Sequence, residues 1–237
     1  MKVWNQTLMS PVITTLIWLA ILTLALGGNR GGGVLHMPFN EFVAPGLIMM
    51  AVMQNAFANT SSSLMLSKIQ GVIIDVLMPP FTAGEITAAI AGGGITRGLA
   101  VGVTVGVAVA FFVPIHIHHP GLMLFYMVMA STLLALLGMI GGIWAHGFDQ
   151  MNAMTNYVIT PLAFLSGTFY SVKILPDMWH ALCYYNPFFY IIDGFRYALT
   201  GYHDGSLQAG IIMLLGLNLL LWLAVQRMVA SGWHLKT

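Results

Sequence analysis

Charged side chains are rare along the whole chain, and long apolar stretches separate them. Asp, Glu, Lys and Arg together make up 6% of the 237 residues, whereas soluble domains carry about 25%. The mean hydropathy is +0.86. A water-facing surface cannot be built from so few ionisable groups, so we expect the chain to fold in a lipid bilayer.

Six apolar stretches are long enough to cross a bilayer as helices, since a hydrocarbon core of about 30 Å needs about 20 helical residues. None of them alternates with the period of two that membrane barrel strands show. We therefore predict an all-α membrane protein, a single domain over residues 1–237 with six transmembrane helices. The predicted spans are 7–26, 42–62, 97–118, 121–145, 151–172 and 207–229.

The basic residues near the span ends predict the orientation, because positive charge is retained on the cytoplasmic side. With the N-terminus inside, the inner set outnumbers the outer set: Lys2, Lys68, Arg97, Arg227 and Lys236 against Arg30, Lys173 and Arg196. We expect both termini to be cytoplasmic. The formal net charge of +1 gives no indication of a nucleic-acid partner.

The connector between the second and third spans, residues 64–85, carries charges among apolar residues that share one helical face. These residues are Lys68, Asp75 and Glu85, and Ile69, Ile73 and Leu77. Pro79-Pro80 would end a helix here. The pattern fits a short cytoplasmic helix against the membrane, and it equally fits a simple interfacial connector.

Glycines and polar residues recur at helical spacing within the spans. Gly94, Gly98, Gly102 and Gly106 predict a close helix contact. Polar stripes lie on span two and on span five: Asn55, Asn59, Ser62 and Ser63, and Asn152, Asn156 and Thr160. Such stripes can serve hydrogen bonds between helices or can line a polar path. Because two helices carry them, we favour the path.

The stretch 173–206 is rich in aromatic residues, which favour the membrane–water interface. We predict two short helices, broken at Asn186-Pro187, that re-enter the outer leaflet between spans five and six. Asp193 and Arg196 are three residues apart and can pair on one helix face.

Catalytic and metal-binding patterns are weak. His116, His118 and His119 are close enough for a shallow metal site, but no Cys or carboxylate lies nearby in the sequence, so we predict no metal. The sequence holds neither His-Glu-x-x-His nor Gly-x-Ser-x-Gly, and we predict no catalytic residues. A membrane enzyme or an ATP-independent carrier stays as the alternative from another class.

The chain resembles the ABC-2 type permeases, the membrane subunits of bacterial ATP-driven exporters. The most specific part of the resemblance lies in residues 161–196: Pro161, Leu165-Ser166-Gly167, Phe169-Tyr170, Leu175-Pro176, Trp179, Asn186-Pro187, Tyr190, Asp193 and Arg196. Pro45-Gly46-Leu47-Ile48 and the connector residues are similar in order, and the resemblance covers essentially the whole chain.

The resemblance implies a homodimer in the bacterial inner membrane with two copies of a separate ATPase, which would hold the ATP and Mg²⁺. This chain has no Walker A motif, so we expect a transport subunit without a cofactor of its own. The cargo implied is amphiphilic, lipid-like or drug-like; a polysaccharide or lipid-linked glycan is the alternative.

The resemblance also assigns roles to residues of this chain. ATPase coupling falls to Lys68, Gly71, Asp75, Leu77, Pro80 and Glu85; the path to Asn55, Asn59, Ser62, Asn156 and Thr160; and the external segment to Trp179, Asn186, Pro187, Tyr190, Asp193 and Arg196.

Overall fold

The computed structural model describes residues 2–26, 37–74, 78 and 80–232, and every regular element in these ranges is helical. The helices are α1 (Lys2–Leu26), α2 (Phe39–Ile69), α3 (Ala83–Ala110), α4 (Pro120–Trp144), α5 (Phe148–Met154), α6 (Thr160–Leu165), α7 (Asp177–Tyr185), α8 (Pro187–Thr200) and α9 (Leu207–Ser231). A π-helical turn, Thr155–Ile159, joins α5 to α6, and a 3₁₀ turn, Val172–Ile174, precedes α7. The all-α prediction is confirmed.

Five of these helices, α1, α2, α3, α4 and α9, are long and apolar enough to cross a membrane. The predicted span 151–172 is not a continuous helix, because the π turn interrupts it and α6 ends at Leu165. Pro161 explains the interruption, since proline has no N–H and its ring clashes with the carbonyl four residues earlier. Within the π turn, the Thr160 N–H donates to the Thr155 carbonyl, five residues back. The count of six spans stays a prediction.

The bounds of the third span and of the connector differ from the predictions. α3 begins at Ala83, where Thr82 and Glu85 form a reciprocal capping box, and it ends at Ala110 rather than at His118. α2 continues to Ile69, so the connector is 70–82 instead of 64–85. Arg97 was predicted to begin the third span and instead lies near the midpoint of α3, whereas Lys68 lies in the last turn of α2, near a span end as predicted.

Helix α2 lies at the centre of the bundle and contacts α1, α3, α4 and α8. Small residues make this possible. A Cβ added at Gly138 of α4 would overlap Thr60 Oγ1 and lie 2.6 Å from the Phe57 carbonyl. Glycines 94, 98 and 102 of α3 are similarly crowded, as their spacing predicted, but Gly106 has nothing within 4 Å of an added Cβ. The close contact of α3 with its neighbours therefore extends to Gly102 and does not include Gly106.

Helix α1 packs far more loosely than α2. In their most apolar stretches, 72% of the residues of α2 are buried, against 11% for α1. α1 runs antiparallel to α2 and parallel to α3, because Leu24 of α1 lines a cavity with Asn40 and Phe112. One side of the bundle is thus densely packed, and the side that carries α1 is open.

Candidate functional site

A cavity of about 430 Å³ lies between α1, α2, α3 and α6 on the open side of the bundle. Its polar lining residues are Thr7, Ser10, Thr14, Thr15, Gln54, Asn55, Arg97 and Thr160, and its apolar ones are Pro11, Trp18, Leu47, Met50, Ala51, Phe164 and Phe169. A volume of this size is in the range of small-molecule binding pockets.

The two ends of the cavity differ in their lining, although α1 carries hydroxyl groups along most of its length there. Thr7 and Asn55 lie at one end, while Trp18 and Leu47 lie at the other, because α1 and α2 are antiparallel. The turn after α6 follows the same division, since an added Cβ at Gly46, beside Leu47, would be 2.8 Å from the Thr168 carbonyl. The cavity therefore has a polar end and an aromatic, apolar end.

Arg97 is the charged residue of this lining, and it lies near the midpoint of the 28-residue helix α3. Its Nη1 donates to Asn59 Oδ1 over 3.3 Å. Its Nε is buried and has no hydrogen-bond partner among the described residues. The sequence analysis missed this role. The glycine repeat that begins at Gly94 could have revealed it, since that helix passes through Arg97.

The structure brings together some of the predicted path residues and separates others. Asn55 and Thr160 line the same cavity, and Asn59 reaches it through Arg97. Ser62 bonds back to the Ala58 carbonyl of its own helix and is not a lining residue. Asn156 is exposed outside the cavity.

Lys68 connects the end of α2 to the end of α4. Its Nζ donates to the carbonyls of Ile143 at 2.7 Å, Ala145 at 3.0 Å and Gly142 at 3.4 Å. Carbonyl groups at a helix C-terminus lack helical partners and attract cations. Lys68 thus stabilises the C-terminus of α4 beside the connector.

The other predicted coupling residues have local roles where they are described. Gly71 has a φ of +73°, which favours glycine and ends α2. Pro80 is exposed. The Glu85 carboxylate accepts from the Thr82 N–H at 2.8 Å in the capping box. Asp75 and Leu77 lie outside the described residues.

The stretch 173–206 forms two helices, α7 and α8, that meet at Asn186-Pro187 as predicted. Asn186 caps α8 by accepting from the Phe188 N–H at 3.0 Å, and its Nδ2 donates to the Leu162 carbonyl at 2.8 Å. Pro187 takes the first position of α8, where a missing N–H costs little. This asparagine therefore fixes α8 against α6.

Two aromatic residues of the same stretch have different surroundings. Trp179 of α7 is half exposed. Tyr190 of α8 packs against α9, where an added Cβ at Gly210 would be 2.9 Å from the tyrosine Cδ1. Re-entry of α7 and α8 into the outer leaflet stays a prediction.

Arg196 is fully buried and has partners on several sides. Its Nε donates to the Phe42 carbonyl at 3.2 Å, its Nη2 donates to the Gly167 carbonyl at 2.6 Å, and its guanidinium lies 3.9 Å from the centre of the Phe42 ring. Its Nη1 is 3.8 Å from Asp193 Oδ1, so the predicted pair forms. Arg196 therefore joins α8 to α2 and to the turn after α6.

Asp193 lies in the same buried cluster and orders the turn before α9. Its carboxylate accepts from the N–H groups of Asp204 at 2.8 Å and Gly205 at 2.9 Å. Burial raises the pKa of Asp193, while Arg196 and the two N–H donors oppose this shift.

Asp204 is a further member of this cluster that the sequence analysis missed. It accepts from Ser171 Oγ at 2.9 Å and from the Val172 N–H at 3.1 Å, and Lys173 Nζ lies 3.5 Å away. Tyr202 Oη also donates to Asp204, and burial together with this bond raises the pKa of Tyr202 to about 12. Asp204 follows closely after Gly201, whose φ of +75° is typical of a turn. Aspartate often accepts hydrogen bonds from backbone N–H groups in turns, so this spacing could have indicated the role of Asp204.

The three neighbouring histidines do not assemble into a metal centre in the described part of the chain. No group of three or more His, Cys, Asp or Glu residues there could hold a metal ion. The N–H groups of His118 and His119 both donate to the Ala198 carbonyl at 3.0 Å, and the His119 ring stacks on Tyr197 at 5.2 Å. These residues therefore hold the loop before α4 against α8.

The helices and the polar cavity between them define a class, the helical membrane proteins that cross the bilayer several times. A family model described as ABC-2 type transporter matches residues 1–200. The chain belongs to the ABC-2 type transporter family, and the resemblance seen in the sequence is confirmed.

Two relatives show how far the similarity extends. The chain is 36% identical over 231 residues to the inner membrane transport permease YadH of Escherichia coli K12, covering 96% of this chain and 90% of that protein. It is 26% identical over 205 residues to Nodulation protein J of Rhizobium leguminosarum bv. viciae, covering 84% of this chain and 78% of that protein.

Proposed function

We propose that this chain is the permease subunit of an ATP-driven exporter in the bacterial inner membrane, with both termini cytoplasmic. It works as a homodimer with two copies of a separate ATPase, which bind ATP and Mg²⁺. The cargo is an amphiphile taken from the cytoplasm or from the inner leaflet. Membership of the ABC-2 type transporter family supports this role, as does the similarity to a protein named as an inner membrane transport permease.

The observation that carries the proposal is the polar cavity at the level of the spans. Asn55 of α2 and Thr160 of α6 line it from two different helices, and hydroxyl groups of α1 face them. Polar residues within membrane spans are costly and commonly mark the pathways of substrates, so a cavity lined this way supports a transport path. The path therefore includes Asn55, Asn59, Thr160 and the newly placed Arg97.

The contacts of Lys68 provide a route for coupling. The ATPase binds the connector 70–82, which begins directly after α2. Because Lys68 ties the end of α2 to the last carbonyls of α4, a displacement of the connector moves both helices. Transport then requires two arrangements of the spans with different affinities for cargo and nucleotide.

The first test is reconstitution. The chain is purified with candidate ATPase subunits and placed in vesicles with a fluorescent amphiphile, and export is measured with ATP and with a non-hydrolysable analogue. We expect export only with the ATPase and ATP. Export at full rate by the chain alone would replace the proposal with an ATP-independent carrier.

The second test concerns the connector. Asp75→Arg reverses the charge of a connector residue and should weaken co-purification of the ATPase while membrane insertion is unchanged. Asp149→Arg is the matched control, because Asp149 is an exposed acid in the first turn of α5. Equal recovery of the ATPase with both variants would remove Asp75 from the docking surface.

A further inference from the structure

We propose that the cavity is an anion site, in which Arg97 binds a phosphate-type headgroup and the apolar end receives the hydrocarbon part of the same molecule. The inference gives the chemical class of the ligand. That this ligand is the transported cargo rests on the proposed function. The binding site itself follows from the residues of the cavity.

The first step is the cost of the Arg97 charge. A guanidinium near the middle of a membrane helix is expensive unless it is paired or hydrated. The ion pairs in the described part of the chain are Lys173 with Asp204 and Asp193 with Arg196, so Arg97 takes part in none of them. Its one side-chain hydrogen bond, to Asn59, is 3.3 Å long, and its Nε is buried without a partner there. Arg97 thus retains donors and a full charge for a ligand.

The second step is the chemistry of the remaining polar lining. No Asp or Glu lines the cavity among the described residues, so a cation would meet only the positive charge of Arg97. The Thr160 hydroxyl can donate a hydrogen bond to an oxygen atom, and the Asn55 amide keeps a second N–H beside the one that donates to the Ala51 carbonyl at 3.0 Å. A guanidinium presents a planar set of N–H donors that matches phosphate oxygens in a bidentate arrangement. An oxyanion therefore fits this end of the cavity better than a neutral or cationic group.

The third step is the division of the cavity into two ends. Trp18, Phe164 and Phe169 line it with Leu47, away from the polar end. Trp18 and Phe164 are 44% and 36% exposed, so this end is open at the surface of the bundle. A ligand with its charge at Arg97 and an apolar chain toward Trp18 satisfies both ends, whereas a fully polar anion satisfies one.

The test measures binding by the purified full-length chain in nanodiscs of zwitterionic phosphatidylcholine, without ATPase or nucleotide. The probes are a fluorescent short-chain phosphatidic acid and a diacylglycerol with the same chains and the same fluorophore. We expect the wild-type protein to prefer phosphatidic acid. Arg97→Gln should weaken phosphatidic acid binding roughly tenfold or more, the scale of a hydrogen-bonded charged contact, and should leave diacylglycerol binding unchanged.

Two further variants serve as controls. Arg97→Lys keeps the charge without the planar fork, so its affinity for phosphatidic acid should lie between the wild type and Arg97→Gln. Arg227→Gln removes the same charge from an exposed position on α9 and should bind both probes as the wild type does. The comparison of phosphatidic acid with diacylglycerol on the wild-type protein remains valid even if a variant fails to fold.

Inorganic phosphate distinguishes the two sources of the anion. Displacement of phosphatidic acid by other lipids with a net negative phosphate headgroup, and not by added phosphatidylcholine, supports an amphiphile. Displacement by inorganic phosphate at the same concentration supports the anion site and overturns the amphiphilic ligand. Equal affinity of the wild type for both probes, or equal affinity of wild type and Arg97→Gln for phosphatidic acid, overturns the proposal.

These outcomes are independent of transport. Arg97-dependent binding without any ATP-driven export would retain the anion site and remove the exporter role. ATP-driven export together with binding that does not depend on Arg97 would retain the exporter role and remove the anion site.

Discussion

Arg97 and Arg196 are both withdrawn from bulk water in this chain, and the structure treats them in opposite ways. Arg196 in α8 has two carbonyl acceptors, an aromatic ring and a carboxylate within contact distance. Arg97 in α3 has one hydrogen bond at 3.3 Å and a buried Nε with no partner in the described ranges. The first arginine holds parts of the fold together, whereas the second is available to something that enters the cavity.

The same contrast holds for the two sides of the bundle. The closed side, formed by α2, α4 and α8, is packed through glycines and buried polar clusters. The open side, formed by α1 and the cavity, buries little of its helix surface. Rigid packing on one side leaves conformational freedom to the other, so substitutions on the two sides should differ in kind as well as in size.

The largest loss of stability should follow Arg196→Met. This change leaves Asp193 buried without its cation, and breaking a buried ion pair costs about 3–5 kcal/mol. Thermal unfolding of the purified chain in detergent measures it. Adding Asp193→Asn to Arg196→Met should recover part of the loss, because the orphaned charge is then gone. A double variant as unstable as the sum of the single variants would contradict a direct interaction.

A smaller loss should follow Gly138→Ala on the closed side. The added methyl group would overlap Thr60 and approach the Phe57 carbonyl at 2.6 Å, so α4 must move away from α2. Overpacking of this kind costs about 1–3 kcal/mol. Gly106→Ala is the matched control, with nothing within 4 Å of the new methyl group, and should leave stability unchanged or raise it by up to about 1 kcal/mol, because alanine favours a helix over glycine. Equal effects would contradict the difference in packing.

Tyr202→Phe should cost about 1.5 kcal/mol, because it removes a hydrogen bond to the buried Asp204 carboxylate. The raised pKa gives the sign of the pH dependence. The phenol is favoured in the folded state, so its contribution to the free energy of unfolding is complete below pH 10.0 and is lost as the pH rises toward about 12. Unfolding measured from pH 8 upward in wild type and Tyr202→Phe should therefore converge, and a constant difference would exclude this titration.

The smallest effect on stability should follow Arg97→Gln. Arg97 has no ion-pair partner in the described ranges, so removing its charge relieves desolvation and loses one long hydrogen bond, and the change should be within about 1 kcal/mol. Thermal unfolding beside Arg196→Met makes the comparison direct. A loss as large as that of Arg196→Met would show that Arg97 also holds the fold together.

The sequence was sufficient for the class of fold and for the features that local chemistry determines. Long apolar stretches predicted the helical membrane protein, and Asn186-Pro187 predicted the break between α7 and α8. The spacing of Asp193 and Arg196 predicted their pair. Each of these depends on residues close together in the chain.

What the sequence did not reveal depends on contacts between distant residues or on an unusual helical turn. Arg97 was predicted to start a span, because a charge in an apolar stretch normally marks water. The partners of Lys68 and Arg97, the α4 carbonyls and Asn59, lie far away in the sequence and were missed. The π turn between Asn156 and Thr160 was also missed, because the prediction assumed a regular α-helix over this span.

The π turn and Pro161 together affect the part of the cavity wall that contains Thr160. The turn accommodates one residue more than a regular helix would, and Pro161 keeps it in place because a proline cannot complete the ordinary ladder with the residue four positions earlier. Pro161 therefore helps to determine which face of the helix carries Thr160, a lining residue of the cavity. Replacing Pro161 by a residue with a backbone N–H would allow regular α-helical hydrogen bonds to form through this turn. Thr160 would then rotate about the helix axis, relative to α5, by up to about 100°, the angle of one helical residue.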